Sequence, residues 1–193
     1  MIFTLFLALA GQSAPAVTPA AEALGGPVIP GVCLLSRQAV FANAKVATAA
    51  TARLQQLATE AQTEVDAERA PLDKDQAALE AEFAKLTPDQ RTQRQQALIK
   101  RMQPIQAKAE QRSREIEATR AKVLAQISDR AQPVIAEVYR ARKCGLLFDR
   151  NGVMGGNLSN DLTAEVVTVL DAKVAPLSFN REPIPAVSAT GAK

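Results

Sequence analysis

The sequence predicts a mainly α protein with a small β head: a long antiparallel helical hairpin, or coiled-coil arm, on a short-stranded sheet. Two observations lead to this fold class. No glycine occurs between Ser36 and Lys143, and the strong helix formers Ala, Gln, Glu, Lys, Arg and Leu dominate this stretch. Short apolar runs that are typical of strands stand directly before and directly after it.

Residues 1–30 are interpreted as a signal peptide and a flexible leader. The run IFTLFLALA at residues 2–10 has signal-peptide length, and Ala8 and Ala10 fit the small-residue pattern before a cleavage site. No Lys or Arg precedes this run, so a truncated or misassigned start is the alternative. The stretch that follows is rich in proline and glycine, as flexible segments are.

The arm, residues 37–142, is expected to be two helices that reverse at KLTPDQ. Thr87 can cap a helix start, Pro88 suits the first helical position, and Gln90 completes a capping box. Apolar residues on both sides recur at spacings of three, four and seven, which indicates helix pairing. The two stripes are Leu54, Leu57, Ala61, Val65, Leu72, Leu79, Phe83 and Leu86, and Leu98, Met102, Ile105, Ala109, Ile116, Val123, Ile127, Val134, Val138 and Ala141.

Two prolines lie at nearly equal distances from the Thr87–Pro88 reversal, so Pro71 is expected to face Pro104 across the arm. A proline inside a helix removes a backbone hydrogen bond and favours a kink. We interpret this level pair as a two-sided hinge. Coincidence is the alternative, because Pro133 has no such counterpart.

Charge separates the two arm helices. Residues 37–86 carry six basic and eight acidic side chains, whereas residues 89–143 carry thirteen basic and six acidic ones. The basic excess is interpreted either as an ordinary solvated face or as a contact for anionic partners, such as acidic unfolded polypeptides, anionic lipid or lipopolysaccharide. The candidate contact residues are Arg91, Arg94, Lys100 and Arg101.

The head is expected to comprise residues 31–36 and 143–173. GVCLLSR predicts one strand, GLLFDRNGVM predicts a hairpin of two more, and NDLTAEVVTVLDAKV predicts a short helix. Because so small a sheet is only marginally stable in a single chain, several chains are expected to close their sheets together. The predicted core of this assembly is Val32, Leu34, Leu146 and Phe148.

Cys33 and Cys144 flank the points where the chain enters and leaves the arm. A disulfide is one interpretation, because paired cysteines are often bonded in an oxidising compartment. Two buried thiols are the other. The final segment, residues 174–193, is predicted to be disordered from its proline-rich composition.

Composition argues against an enzyme. There is no histidine, which is the commonest acid–base catalyst, and the two cysteines are too far apart in sequence for the usual zinc sites. We therefore expect no catalytic residues, no metal and no cofactor.

The order of leader, strand, helical hairpin, GLLFDRNGVM and NDLTAEVVTVLDAKV resembles the OmpH/Skp family of periplasmic chaperones over about residues 30–175. The sequence departs from the family at Gly155 and Gly156, where an aromatic residue is common. The resemblance implies a homotrimer with a β-rich body and three α-helical arms. It also implies a cavity between the arms that holds unfolded outer-membrane proteins in the periplasm without ATP.

Two other functions remain open. A structural coiled-coil scaffold of the envelope would have the same arm but would leave unfolded barrel proteins to aggregate. A nucleic-acid-binding coiled coil would fit the sequence pI near 9.0 and the basic returning helix. However, only 4% of residues are aromatic, which leaves few residues for base stacking, and the sequence has no recognised base-reading motif. We therefore expect no nucleic acid partner.

Overall fold

The computed structural model describes residues 25–185, and it is a helical hairpin joined to a small head. The elements in chain order are β1 (Val32–Leu35), α1 (Arg37–Asn43), α2 (Lys45–Glu82), α3 (Pro88–Ala141), β2 (Leu146–Asp149) and α4 (Thr163–Lys173). The predicted signal peptide and most of the predicted leader lie outside the described residues. The fold class is the predicted one, a long helical hairpin on a small sheet.

The reversal between α2 and α3 forms through local side chains. A short 3-10 turn at Phe83–Lys85 ends α2. Thr87 Oγ1 then accepts from the Gln90 N–H at 3.3 Å, and the Thr87 N–H donates to Gln90 Oε1 at 3.0 Å. This is the predicted capping box, with Pro88 at the first helical position.

A second interruption was not predicted. The backbone leaves the helical region at Ala44, which separates α1 from α2. The Lys45 N–H at the start of α2 donates to Asp171 Oδ1 of α4 at 2.7 Å, and Ala44 is fully buried. The break depends on packing against α4, and alanine in a helix-forming sequence gives no local signal for it.

The head sheet differs from the predicted one. β1 and β2 are parallel, with Val32 opposite Leu146 and Leu34 opposite Phe148. On its other side Leu34 bonds with residues 160–162 through two backbone hydrogen bonds of 3.0 and 2.9 Å. β1 is therefore the central strand of the head.

The hairpin predicted in GLLFDRNGVM is wrong for the described chain. Asp149 Oδ1 accepts from the Asn151 N–H at 2.9 Å, and this turn leads into a 3-10 segment at Arg150–Gly152. Val153 and Met154 then continue without a strand partner in the described chain. Asp149 bonds its own turn, so β2 ends there without a returning strand.

The core lies where the head meets the arm. Its buried side chains come from β1, α1, α2, α3 and α4, and Val166 and Leu170 of α4 are fully buried. The helical spacing of Leu162, Val166 and Leu170 places one apolar face of the segment against α1 and α3. The head and the start of the arm therefore share one core.

The disorder predicted for residues 174–193 is not what the structure shows over residues 174–185. This segment has no helix or strand, yet it runs along the arm and bonds to side chains of α2 and α3. Residues 186–193 lie outside the described residues. Within residues 25–185, no helix is both long and apolar enough to cross a membrane.

Candidate functional site

The arm changes in packing along its length. We call residues 37–65 and 111–142 the base of the arm, and residues 66–110 its distal part. In the base, both predicted stripes supply buried residues, including Leu57, Val123 and Ile127. In the distal part, α2 buries only Leu72 and Leu79, and α3 buries no residue. The distal part is therefore a two-helix structure with half of its seam open to water.

Ion pairs between α2 and α3 recur along the distal part. Arg94 bonds Glu82 at 2.6 Å, Arg101 bonds Asp75 at 2.5 Å, and Lys108 bonds Glu68. The basic partners follow each other in steps of seven along α3, and the acidic partners step back by seven along α2. We call these three pairs the ion-pair ladder, and it sets the register of the two helices.

The ion-pair ladder shows where the two prolines lie relative to each other. Pro71 lies between Glu68 and Asp75, and Pro104 lies between Arg101 and Lys108. The same two ion pairs therefore bracket both prolines, which lie at the same level of the arm. Both are exposed, and both α2 and α3 continue through them as helix. Their action as a hinge stays a prediction.

Most of the predicted basic contact residues have partners within the chain. Arg94 and Arg101 belong to the ion-pair ladder. Arg91 donates from Nε to the carbonyl of Phe83 at 2.9 Å, and its guanidinium lies 4.5 Å from the ring centroid of Phe83. Of the four, Lys100 alone forms no ion pair or side-chain hydrogen bond within residues 25–185.

One face of the head is apolar and exposed. All four residues of β2 are exposed, with Leu146 at 56% and Phe148 at 48% of their full accessible surface. Of the predicted assembly core, Leu34 is already buried within the chain, and Val32 is half-buried. We use the term head face for the exposed large apolar residues of β2 and of the two loops at residues 28–29 and 154–158: Val28, Ile29, Leu146, Leu147, Phe148, Met154 and Leu158.

A groove of about 270 Å³ opens in the head face between Leu34, Phe148 and the glycine pair Gly155 and Gly156. Gly156 has a φ of 149°, and a Cβ at this position would meet no atom within 4 Å. Both glycines line the groove, and a Cβ at Gly156 would point into open space.

Cys33 and Cys144 form a disulfide, with their Cα atoms 5.8 Å apart. Cys33 is buried in β1, and Cys144 follows Lys143, whose positive φ of 54° turns the chain out of α3. The bond therefore joins the start of the arm to its end, and its Cα spacing is typical of protein disulfides.

Residues 174–185, which we call the tail, cross a polar groove on the base of the arm. Arg181 bonds both Glu64 and Glu115 at 3.0 Å. Arg112 bonds the same two carboxylates, at 2.7 and 2.8 Å. The Glu182 N–H donates to Thr119 Oγ1 at 2.8 Å. Two arginines and two carboxylates thus form one closed network, in which Arg181 is the only contribution of the tail.

The network shifts the titration of its carboxylates. Hydrogen bonding from Arg181 is the main cause that lowers the pKa of Glu64, and burial opposes it. Burial alone would raise the pKa of Glu115, but hydrogen bonds from Gln111 and Arg112 and the nearby arginine charges lower that pKa overall. Both carboxylates are therefore held ionised.

Sequence reasoning missed this groove. Glu115 and Thr119 are spaced four apart on α3 and fall on the helix face that continues to Val123, so they are polar residues within an apolar stripe. That irregularity is the one signal that the stripe is covered there by something polar. The covering segment is more than sixty residues away in sequence.

Comparisons with known proteins agree on one family. A family model described as outer membrane protein (OmpH-like) matches residues 31–170. The crystal structure of an OmpH-like protein from Caulobacter crescentus CB15, a candidate outer membrane chaperone, is similar with a TM-score of 0.73 and 34% sequence identity. The match covers 82% of this chain and 94% of that one. A search of curated proteins found no match.

Proposed function

The chain belongs to the OmpH-like family of outer membrane proteins, and from this premise we propose that it is an ATP-independent periplasmic holdase chaperone. It binds unfolded outer-membrane proteins in a cavity between helical arms and so prevents their aggregation. The observation that carries the proposal is the open distal part of the arm, where the seam between α2 and α3 is only half covered.

A half-open seam suits a holdase for a physical reason. Release without nucleotide requires that each contact with the client is weak, so that many small contacts share the binding energy. Met102, Ile105 and Ala109 are half-buried and lie among polar residues and charged residues of both signs along α3. Such a surface favours weak, unspecific contacts with a client chain. Exposed Ile99 adds an apolar contact on the same helix.

The holdase acts as a homotrimer that is held together by the head face. A two-stranded sheet with one fully exposed strand is marginal in water, and a symmetric partner would cover Leu146 and Phe148. Mass determination at micromolar concentration should give a trimer. Leu146→Asp should give a monomer, while Leu124→Asp, which changes an exposed leucine of the arm, should remain a trimer. A wild-type monomer would contradict the assembly.

Anionic partners would meet the arm at the returning helix. Since Arg91, Arg94 and Arg101 already have partners in the chain, Lys100 is the basic residue of this group that is freest to contact an acidic client or an anionic lipid such as lipopolysaccharide.

Light scattering tests the proposed function. A denatured barrel protein is diluted from urea with and without the purified chain, and scattering should fall when the chain is present at a molar excess of trimer. Leu146→Asp should protect less, because separate arms enclose no cavity, and Leu124→Asp is the matched control. Unchanged aggregation with the wild-type chain would favour the alternative function, a structural scaffold of the envelope.

A further inference from the structure

Every hydrogen bond between the tail and the arm in the described chain involves a side chain, and Leu177 and Phe179 also pack against the core of the base. Between residues 175 and 185 and the arm, the described chain has no backbone–backbone hydrogen bond. Arg53 donates to the Phe179 carbonyl at 3.4 Å and to Asn180 at 3.2 Å, and Gln111 donates to the Ile184 carbonyl at 2.6 Å. Side chains of the arm thus hold the backbone of an extended segment. This is the way in which a protein groove binds a peptide.

Beneath Arg181 and Glu182 the floor of the groove is mainly polar, and this bears on whether these tail residues can leave. Glu115 and Thr119 are buried beneath the tail, and Glu64 and Arg112 lie at their side. An apolar floor would have to stay covered, because exposure would cost its hydrophobic burial. Carboxylates and a hydroxyl can instead be solvated when the tail leaves, so both states of the groove are accessible in water.

Charge determines what the groove accepts. With the tail in place, Glu64 and Glu115 are balanced by Arg112 and Arg181. Without the tail, Glu64 and Glu115 face Arg112 alone, while Lys122 loses its ion pair with Glu182. A guanidinium fits because its planar fork can bond two carboxylates at once.

We propose that this groove is a binding site for an extended polypeptide segment that carries an arginine, and that residues 180–184 are its resident, displaceable occupant. The inference deepens the proposed function and rests on it for its biological use, since unfolded clients supply extended arginine-bearing segments. A client segment must therefore compete with the tail, which is tethered to the same chain, and only a segment that outcompetes the tail can occupy the groove.

The first experiment uses the unmodified full chain. Hydrogen exchange is followed at the amide of Glu182, which donates to Thr119 Oγ1. A peptide of residues 178–185, SFNREPIP, added at millimolar concentration should raise exchange at this amide several-fold, because it displaces the tail. The same peptide with Arg181→Gln should have at most about a tenth of this effect at equal concentration, since it lacks the charge-assisted hydrogen bonds. Equal effects of the two peptides, or no effect of either, would overturn the proposal.

The second experiment releases the tail in the full chain. Arg181→Glu places a third carboxylate against Glu64 and Glu115, so exchange at Glu182 should rise at least about tenfold. Arg120→Glu is the matched control, because it makes the same charge change on an exposed arginine at the level of Thr119. Fluorescence anisotropy should show labelled SFNREPIP binding to the Arg181→Glu chain more tightly than to the Arg120→Glu chain. Equal binding to both chains would also overturn the proposal.

Neither experiment uses an outer-membrane client, so the two proposals fail separately. If the chain binds the peptide but does not prevent aggregation of barrel proteins, the groove proposal holds and the holdase proposal fails. If the chain prevents aggregation but does not bind the peptide, the holdase proposal holds and the groove proposal fails. The tail is then a fixed part of the arm.

Discussion

The base of the arm and its distal part are built from the same two helices, but different forces hold them. The base has a shared core with the head, a disulfide and the tail across its polar groove. The distal part has Leu72 and Leu79 on one helix and the ion-pair ladder. Exposed ion pairs contribute roughly 0.2–1 kcal/mol each, whereas buried aliphatic side chains contribute several times more. The base is therefore the more strongly held part of the arm, and the distal part is the more weakly held one.

The largest expected effect comes from the disulfide at the base. Replacing Cys33 and Cys144 with alanine should lower the free energy of unfolding by about 4.7 kcal/mol, as the chain-entropy model gives for a loop of roughly 100 residues. Tyr139 is the one tyrosine of the chain and packs on the base core, so its fluorescence reports this region in urea. Reducing agent should shift the wild-type transition but not that of the double variant. If reducing agent left the unfolding transition of the wild-type chain unchanged, the disulfide would not account for the difference between the base and the distal part.

Paired core substitutions measure the difference in packing. Leu170→Ala empties a fully buried position of the base and should lower the free energy of unfolding by about 3 kcal/mol. Ile105→Ala on half-buried distal α3 should lower it by about 1 kcal/mol, because part of the side chain is already in water. Urea unfolding at one fixed protein concentration measures both. Equal losses would mean that the two regions are equally well packed.

The level prolines test whether the distal part bends. Replacing Pro71 and Pro104 with alanine should raise the free energy of unfolding of the arm by about 2 kcal/mol, since each proline removes a helical hydrogen bond. We expect the double variant to melt at a higher temperature by circular dichroism, yet to protect large barrel proteins less well than small ones. Pro133→Ala is the control, because this exposed proline lies at the base without a partner. Unchanged protection across client sizes would show that the prolines are only tolerated.

The smallest expected effect is a pH dependence of the head. Burial alone would raise the pKa of Asp161, but hydrogen bonds from Thr163 and Arg150 lower it below its usual value. A lowered pKa in the folded state means that Asp161 stabilises the fold above about pH 4 and loses this contribution as the pH falls further. Asp161→Asn should therefore cost about 1 kcal/mol at pH 7 and less at pH 3, by Tyr139 fluorescence. Asp129→Asn, at an exposed position of α3, should cost nothing at either pH.

Local signals in the sequence predicted the arm well. The capping box at Thr87 and Gln90 and the apolar stripes depend on residues a few positions apart, so their pattern is visible in the sequence. The equal spacing of Pro71 and Pro104 from the reversal likewise follows from the hairpin.

The features that sequence reasoning missed depend on distant residues. The break at Ala44 requires Asp171, the parallel pairing of β2 requires β1, and the place of the tail requires Glu115 beneath Arg181. Proline-rich composition predicted disorder for the tail because it shows only that a segment forms no helix or strand. It gives no information about a polar groove elsewhere that can bind such a segment.

The disulfide also decides how the molecule carries mechanical load. Cys33 and Cys144 are separated by 111 residues, and β1 and β2 run side by side in the same direction. Tension along the covalent chain passes from one strand to the other through the sulfur atoms and bypasses residues 34–143, so it reaches the arm only through the noncovalent contacts of the tail. Once those contacts break, the whole arm is an unloaded loop, so a motor that stretches the chain would release the tail and deform the head while the two arm helices kept their shape.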